Sequence, residues 1–258
     1  MEQMKNSVVI HPEYRFLKDY IESIPTRFES LTKILYKDRN VIKMDETNGL
    51  KLVIKSYGRI FLTNRIRYSF FHPSKAERAY TYGTKLLEKG FKTPQPVAYI
   101  EEFDNGLLSN SYFISLYTDS LPLSKVMPTD EMEITKALTA YTYDLHQSGI
   151  YHMDYSRGNI LCKKMDDGYQ FSLIDNNRMR FGRFSFSDRL KNFRRLGLSK
   201  RQLVTVAREY ARLDNKNERD TTQALMAYVA EHEERHIMKK RAKEIVGNVF
   251  DRISHQAG

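Results

Sequence analysis

The stretch His152-Met153-Asp154-Tyr155-Ser156-Arg157-Gly158-Asn159 sets a carboxylate and an amide five residues apart, and Ile174-Asp175-Asn176-Asn177 adds a second carboxylate beyond two short strand-like runs. Asp, Asn, Asp in this order is the donor set that phosphoryl transfer from a magnesium nucleotide requires. Asp154 is the candidate catalytic group, accepting or orienting the proton of an attacking hydroxyl. Asn159 and Asp175 are the candidate magnesium ligands, because that ion takes hard oxygen donors and shares its coordination with phosphates. Such a reaction asks the protein for positioning and charge neutralisation more than for covalent help. His152 reads as a support of the loop through hydrogen bonds. Arg157 could neutralise phosphate or an acidic acceptor, with a loop-ordering role as the plainer alternative.

Phosphoryl transfer also needs a cation for the nucleotide phosphates, and Leu52-Val53-Ile54-Lys55 supplies one on a strand, close to the pattern V-A-I-K. Strand alternation puts Val53 and Lys55 on one face, so Val53 could cover the adenine where Lys55 reaches the phosphates. A helical carboxylate is the usual partner of such a lysine. Ser74 to Lys89 has helical spacing and offers Glu77 and Glu88, about three turns apart on nearly one face; Glu77 is the favoured partner. No G-x-G-x-x-G precedes Lys55, and Tyr36-Lys37-Asp38-Arg39-Asn40 would have to cover the phosphates with Lys37 or Arg39.

The elements that must position these residues are readable in outline. Pro12 to Ile24 has amphipathic helical spacing, stopped by Pro25. Ile34 to Tyr36, Asn40 to Met44 and Leu50 to Tyr57 have strand texture, with Asn48-Gly49 as a hairpin turn. Val97 to Ile100 and Ser111 to Tyr117 follow as strands. Asp130 to Ser148 is a helix with a D-x-x-E start at Asp130 and Glu133. Ile160 to Lys164 and Tyr169 to Ile174 flank Asp166-Asp167-Gly168, so they should pair as a hairpin that gathers Asp154, Asn159 and Asp175. Everything from Leu203 onward is helical in texture and highly charged.

Beyond the catalytic stretch, Ser74-Lys75-Ala76, the run from Gly90 to Glu101, Ser111 to Ser115, Tyr151 to Leu161, Ile174 to Phe181 and Arg189 to Leu196 resemble the Kdo/heptose lipopolysaccharide kinase family, over roughly residues 30 to 215. The resemblance implies a protein-kinase-like two-lobed α+β fold, with a small β-rich N-lobe carrying one main helix and a mostly helical C-lobe. It implies ATP and Mg2+ as cofactors, and phosphorylation of a hydroxyl on an inner-core sugar, Kdo or heptose, of lipopolysaccharide or a lipid A precursor. It also implies a cytoplasmic protein working at the inner face of the inner membrane. Where other kinases of this fold have D-F-G the chain has Asp175-Asn176-Asn177, so a Phe-controlled activation switch does not carry over. The N-terminal lobe with its helical extension is expected over 1–117 and the catalytic lobe with a charged helical tail over 118–258, the hinge lying between Tyr117 and Ser124. An alternative is a kinase of the same fold acting on a small-molecule or protein hydroxyl, or an inactive scaffold.

Bulk properties fit this reading without selecting it. With 42 Lys and Arg against 32 Asp and Glu, the 258-residue chain carries a formal charge of +10 and favours anionic partners. Its single cysteine, Cys162, excludes an intrachain disulfide and a thiolate metal cluster, which suits a reducing compartment. No run approaches the ~20 apolar residues that span a bilayer, and the first ten residues lack a signal-peptide core. Membrane work would therefore be peripheral, from the surface.

Two other classes compete. His232-Glu233-Glu234-Arg235-His236 matches H-E-x-x-H, the pattern of a zinc peptidase, but Glu231, Lys239, Lys240 and Arg241 around it describe a solvated helix. The basic stretch Arg189, Lys191, Arg194, Arg195, Lys200, Arg201 and Arg208 comes with no nucleic-acid-binding signature, so no nucleic acid partner is expected. The same charges suit lipid A phosphates or an anionic membrane surface.

Overall fold

The computed structural model describes residues 5–38, 40–58, 62–127 and 131–256. In chain order the first elements are β1 (Lys5–Ile10), α1 (Lys18–Arg27), β2 (Ile34–Lys37), β3 (Val41–Thr47), β4 (Leu50–Ser56), α2 (Leu62–Phe70) and α3 (Lys75–Glu88). β5 (Pro96–Asp104), β6 (Leu107–Leu116), β7 (Leu121–Pro122), α4 (Leu123–Val126), α5 (Met132–Gln147) and β8 (Ile150–His152) follow. The chain closes with β9 (Ile160–Met165), β10 (Gly168–Leu173), β11 (Met179–Phe181), α6 (Phe186–Lys191), α7 (Lys200–Leu213) and α8 (Glu218–Gln256). Contacts divide it into two units, one of residues 1–123 with 158–180, the other of 124–157 with 181–258.

The first unit is built on a six-stranded antiparallel sheet ordered β1-β5-β6-β4-β3-β2. Asn48 and Gly49 both take left-handed φ, +49° and +74°, as a tight β3–β4 turn demands, which pairs Ile42 with Lys55 and Met44 with Val53. Alternation then sorts the strands. Leu52, Ile54, Ile100, Tyr112 and Ile114 form one buried core with Ile21, Ile24 and Phe28 from the N-terminal segment. Val53 and Lys55 point to the opposite face, where Tyr57, Tyr99 and Phe113 pack on Ala76 and Ala79 of α3. β1, a strand the sequence did not announce, extends the sheet edge beside β5.

The N-terminal helix differs from the sequence expectation at its end. A 3-10 turn over Pro12–Leu17 precedes α1, and α1 passes through Pro25 to Arg27. A proline removes one helical hydrogen bond, a cost of about 3 kcal/mol in a helix interior. Here Ile24 and Phe28, on either side of it, are buried on the sheet, and that burial outweighs the loss. At α3 expectation and structure agree, since Ser74 caps the helix by accepting the Glu77 backbone N–H at 3.1 Å.

A second, three-stranded sheet of the same unit, ordered β10-β9-β7, carries the hairpin over Asp166-Asp167-Gly168. The Leu173 N–H donates to the Lys92 carbonyl, and the Thr93 hydroxyl to the Leu173 carbonyl, fixing the end of this hairpin to the segment before β5.

The other unit is helical. α5, α7 and α8 pack around Ile134, Leu138, Leu145, Val206, Tyr210 and Leu225, all buried. α7 opens with a capping box in which Ser199 and Gln202 satisfy each other's backbone N–H groups. α5 begins at Met132 with Glu131 as an N-cap that makes no side-chain bond and Glu133 in its first turn; Asp130, the expected start, lies outside the described residues.

Candidate active site

The residues expected from the sequence to meet the nucleotide, Lys55, Val53, Glu77, Asn159 and Asp175, belong to the first unit. β9 and β10 pair Leu173 with Ile160, and the Ile174 N–H donates to the Asn159 carbonyl at 3.0 Å. Asn159 and Asp175 therefore flank the same end of the hairpin. Asp175 has φ +59°, a left-handed conformation that a non-glycine residue holds only when its surroundings impose it. Those surroundings are on both sides. Its carboxylate is paired with Lys55 Nζ at 2.5 Å, and the next residue, buried Asn176, donates from Nδ2 to Thr93 Oγ1 at 2.8 Å.

The carboxylate found with Lys55 is thus Asp175. Among the described residues no ion pair joins Lys55 to Glu77 or Glu88. Glu77 sits in the first turn of α3, where its charge adds to burial in pushing the Tyr99 hydroxyl up to about 12. It also adds to burial in raising Glu101. Tyr57 is a neighbour that sequence reasoning missed. Lys55 Nζ lies 5.1 Å from the centre of its ring, a cation–π contact, and burial followed by the charge of Asp175 drives its hydroxyl pKa up.

Val53 is half-buried on the Lys55 face, and the β3–β4 register adds Ile42, paired with Lys55, to that face. Tyr36, paired with Ile42 and 52% exposed, extends it. The result is an apolar surface of the kind that a nucleobase covers, leading to a lysine. The signal for Ile42 was present in the sequence, because a two-residue Asn48-Gly49 turn fixes which residues face each other. In the turn proposed to cover the phosphates, the Asp38 N–H donates to the Asn40 carbonyl at 3.1 Å and Lys37 is exposed; Arg39 lies outside the described residues.

Asp154, expected from the sequence to meet the acceptor hydroxyl, and His152 belong to the second unit. His152 is buried, and its Nδ1 accepts the Asp154 backbone N–H at 3.1 Å, which places the ring proton on Nε2. The loop support read from the sequence has a further member it did not reveal. Asn192 donates from Nδ2 to the His152 carbonyl at 2.9 Å, and its Oδ1 lies 3.0 Å from His146 Nε2. His146 Nδ1 in turn meets the Tyr210 hydroxyl at 2.8 Å. Burial, the dominant influence, lowers the His146 pKa to about 4. Neutral His146 then donates from Nε2 to Asn192 and accepts from Tyr210. Asp154 itself is met by Arg195, whose guanidinium lies 2.7 Å from Oδ1.

The donors suit a magnesium nucleotide better than a fully protein-bound metal. Among the described residues no group of three or more His, Cys, Asp or Glu side chains converges on one point. One carboxylate and one amide, Asp175 and Asn159, flank the hairpin end with Lys55 beside the carboxylate, which matches an ion that takes its remaining ligands from phosphates and water. The H-E-x-x-H residues lie on α8 with Glu233 and His236 exposed and His232 half-buried. Glu231 and Arg235 form an exposed i,i+4 ion pair there, as on a solvated helix.

Comparison with known proteins gives this arrangement its setting. The profile of the lipopolysaccharide kinase (Kdo/WaaP) family matches residues 38–228. The solved structure of WaaP in complex with acyl carrier protein aligns with a TM-score of 0.59 at 18% identity, over 89% of this chain and 98% of that one. The Rio2 kinase-ADP/Mg2+-phosphoaspartate complex from Chaetomium thermophilum aligns with a TM-score of 0.46 at 18% identity, over 91% of this chain and 74% of that one. No curated protein matches the sequence. The profile covers most of the chain, and the WaaP alignment covers 89% of it. The chain belongs to the lipopolysaccharide kinase (Kdo/WaaP) family and is an ATP-dependent kinase of protein-kinase-like α+β fold.

Proposed function

We propose that the protein phosphorylates a hydroxyl of a lipopolysaccharide inner-core sugar, Kdo or heptose, by direct in-line transfer from ATP. The observation that carries this reading is the Lys55–Asp175 ion pair at the end of the hairpin that also bears Asn159. It unites the cation for the phosphates with the proposed metal ligands. Asn159 and Asp175 would hold Mg2+, which supplies charge neutralisation between the phosphates when bound. Lys55 exchanges its contact with Asp175 for the nucleotide phosphates, while Val53 and Ile42 cover the adenine. Glu77 is the helical carboxylate available to Lys55 after that exchange.

Asp154 receives the proton of the acceptor hydroxyl as the hydroxyl oxygen bonds to the γ-phosphorus and ADP departs with the electrons of the broken bond. His152, held by Asn192, fixes the backbone N–H of Asp154 and so the direction of its side chain. No phosphoenzyme is formed. Lipid-linked acceptors reside in membranes, and the charge of +10 supports work at an anionic surface from the cytoplasmic side. Among the described residues no helix is long and apolar enough to cross a membrane.

An ATP-consumption assay across Kdo-bearing and heptose-bearing lipid A precursors, an aminoglycoside and a generic protein substrate tests the reading. Turnover that depends on a core sugar supports it. Phosphorylation confined to the aminoglycoside or to protein would replace the acceptor class.

A further inference from the structure

Arg195 has no task in the roles assigned so far, although its guanidinium forms an ion pair with Asp154. The contact is not a sealed structural pair, since the arginine side chain is 42% exposed and the carboxylate 22%. Its backbone is nonetheless fixed. Arg195 ends a short 3-10 turn, Asn192–Arg195, in which Asn192 and Phe193 are buried. A guanidinium that reaches solvent from a fixed backbone is an anchor for something that arrives.

The charge around it points the same way. A side-chain carbon built on Gly197, two residues beyond Arg195, would lie 3.6 Å from the Arg157 guanidinium, so a second arginine borders the turn. His232 of α8 is near enough to Arg194 and Arg195 that, after burial, their charges are the main influences opposing its protonation. The turn that presents Arg195 to Asp154 thus carries or borders several cations. Asp154 Oδ1, engaged by Arg195, is one acceptor position fewer for a substrate hydroxyl.

We propose that Arg195 is a specificity-determining residue that binds an anionic group of the sugar acceptor, a carboxylate or a phosphate, and that its contact with Asp154 is the acceptor-free arrangement. The inference rests on the reading of Asp154 as the group that orients the acceptor hydroxyl. The planar guanidinium fork matches a carboxylate or a phosphate through two parallel hydrogen bonds, which an ammonium cannot do. An acidic acceptor approaching Asp154 meets like charge, and Arg195 offsets that repulsion at the point of binding. Transfer of the guanidinium from Asp154 to the acceptor frees Oδ1 for the hydroxyl and anchors the sugar beside it. An acceptor without an anionic group cannot make the exchange. Kdo carries a carboxylate and lipid A precursors carry phosphates, so both sources are present in the acceptor class proposed above.

The test is steady-state phosphorylation of a Kdo-bearing lipid A precursor, of the same compound with its carboxylate converted to a methyl amide, and of the same compound stripped of its phosphates. Wild type, Arg195→Ala and Arg195→Lys are compared. The wild-type enzyme should lose at least about tenfold in kcat/KM, mainly through KM, on one of the two modifications, and that modification identifies the anion. Arg195→Ala should lose a similar factor on the intact acceptor and be indifferent to that modification, with KM for ATP unchanged. Arg195→Lys, which keeps the charge without the fork, should recover part of the loss and supplies the same comparison if the alanine variant is unstable. An Arg195→Ala variant that lowers kcat alike on intact and modified acceptors would show that Arg195 only orients Asp154, overturning this inference alone. Wild-type enzyme that phosphorylates none of these acceptors would overturn the parent reading together with it.

Discussion

Asp175 is held in a left-handed backbone conformation by Lys55 on one side and by the Asn176–Thr93 bond on the other. A non-glycine residue kept there is a reason to assign it a task rather than a packing role. Asp175→Asn keeps a residue type that tolerates this φ while removing the charge. It should weaken Mg2+-ADP binding by at least about tenfold, as read by titration calorimetry, with little loss of thermal stability. Unchanged affinity would remove Asp175 from the metal site. Asp154 is exposed enough to contribute little to the core, so Asp154→Ala should lower kcat by roughly 10²- to 10⁴-fold at an unchanged melting temperature. The pairing that sets Asn159 beside Asp175 was legible because the D-G turn fixes the β9–β10 register locally. Arg195 and Asn192 were not, since their partners Asp154 and His152 are some forty residues away in sequence and no local pattern encodes that pairing.

At the scale of elements, the loop proposed to be catalytic is suspended from a short 3-10 turn and two helices. Asn192 bridges the His152 carbonyl and His146, which is bonded to Tyr210. Asn192→Ala strands two buried polar partners, and leaving each such group unsatisfied costs about 1–3 kcal/mol. Urea unfolding should register a loss of about 2–6 kcal/mol for the two together, accompanied by a fall in kcat because the loop proposed to aim Asp154 loosens. A stability loss with no change in kcat would confine Asn192 to a structural role. The N-terminal segment is equally consequential for the first unit, because Ile21, Ile24 and Phe28 complete the core beneath β4, β5 and β6. Ile24→Ala should cost about 2–5 kcal/mol in the same assay. Amphipathic spacing revealed this helix, and Pro25 misled only about its end. β1 escaped notice because its Lys5 to Ser7 half is polar, and the strand exists through pairing with β5 rather than through its own pattern.

At the scale of the whole molecule, pH and salt are the levers the structure predicts. His146 titrates near 4 when folded and near 6.5 when unfolded, so the unfolded state takes up a proton first as pH falls. Its contribution is fully present above about pH 6.5 and is lost progressively toward about pH 4, to an extent on the order of 3 kcal/mol. Denaturant midpoints measured between pH 7.5 and 4.5 should fall accordingly, and a midpoint independent of pH across that window would contradict the neutral, buried state of this ring. The charge of +10 should make binding to anionic vesicles steeply salt-dependent, with no comparable affinity for duplex DNA.

Phosphorylation of a core sugar is read most directly from the mass of the acceptor. A Kdo- or heptose-bearing lipid A precursor is incubated with ATP, Mg2+ and either wild-type protein or Asp154→Ala. Wild type should add one phosphate to a core-sugar hydroxyl, and the variant should add none. A precursor whose mass is unchanged by the wild-type protein, or is raised equally by both, would contradict the proposed function.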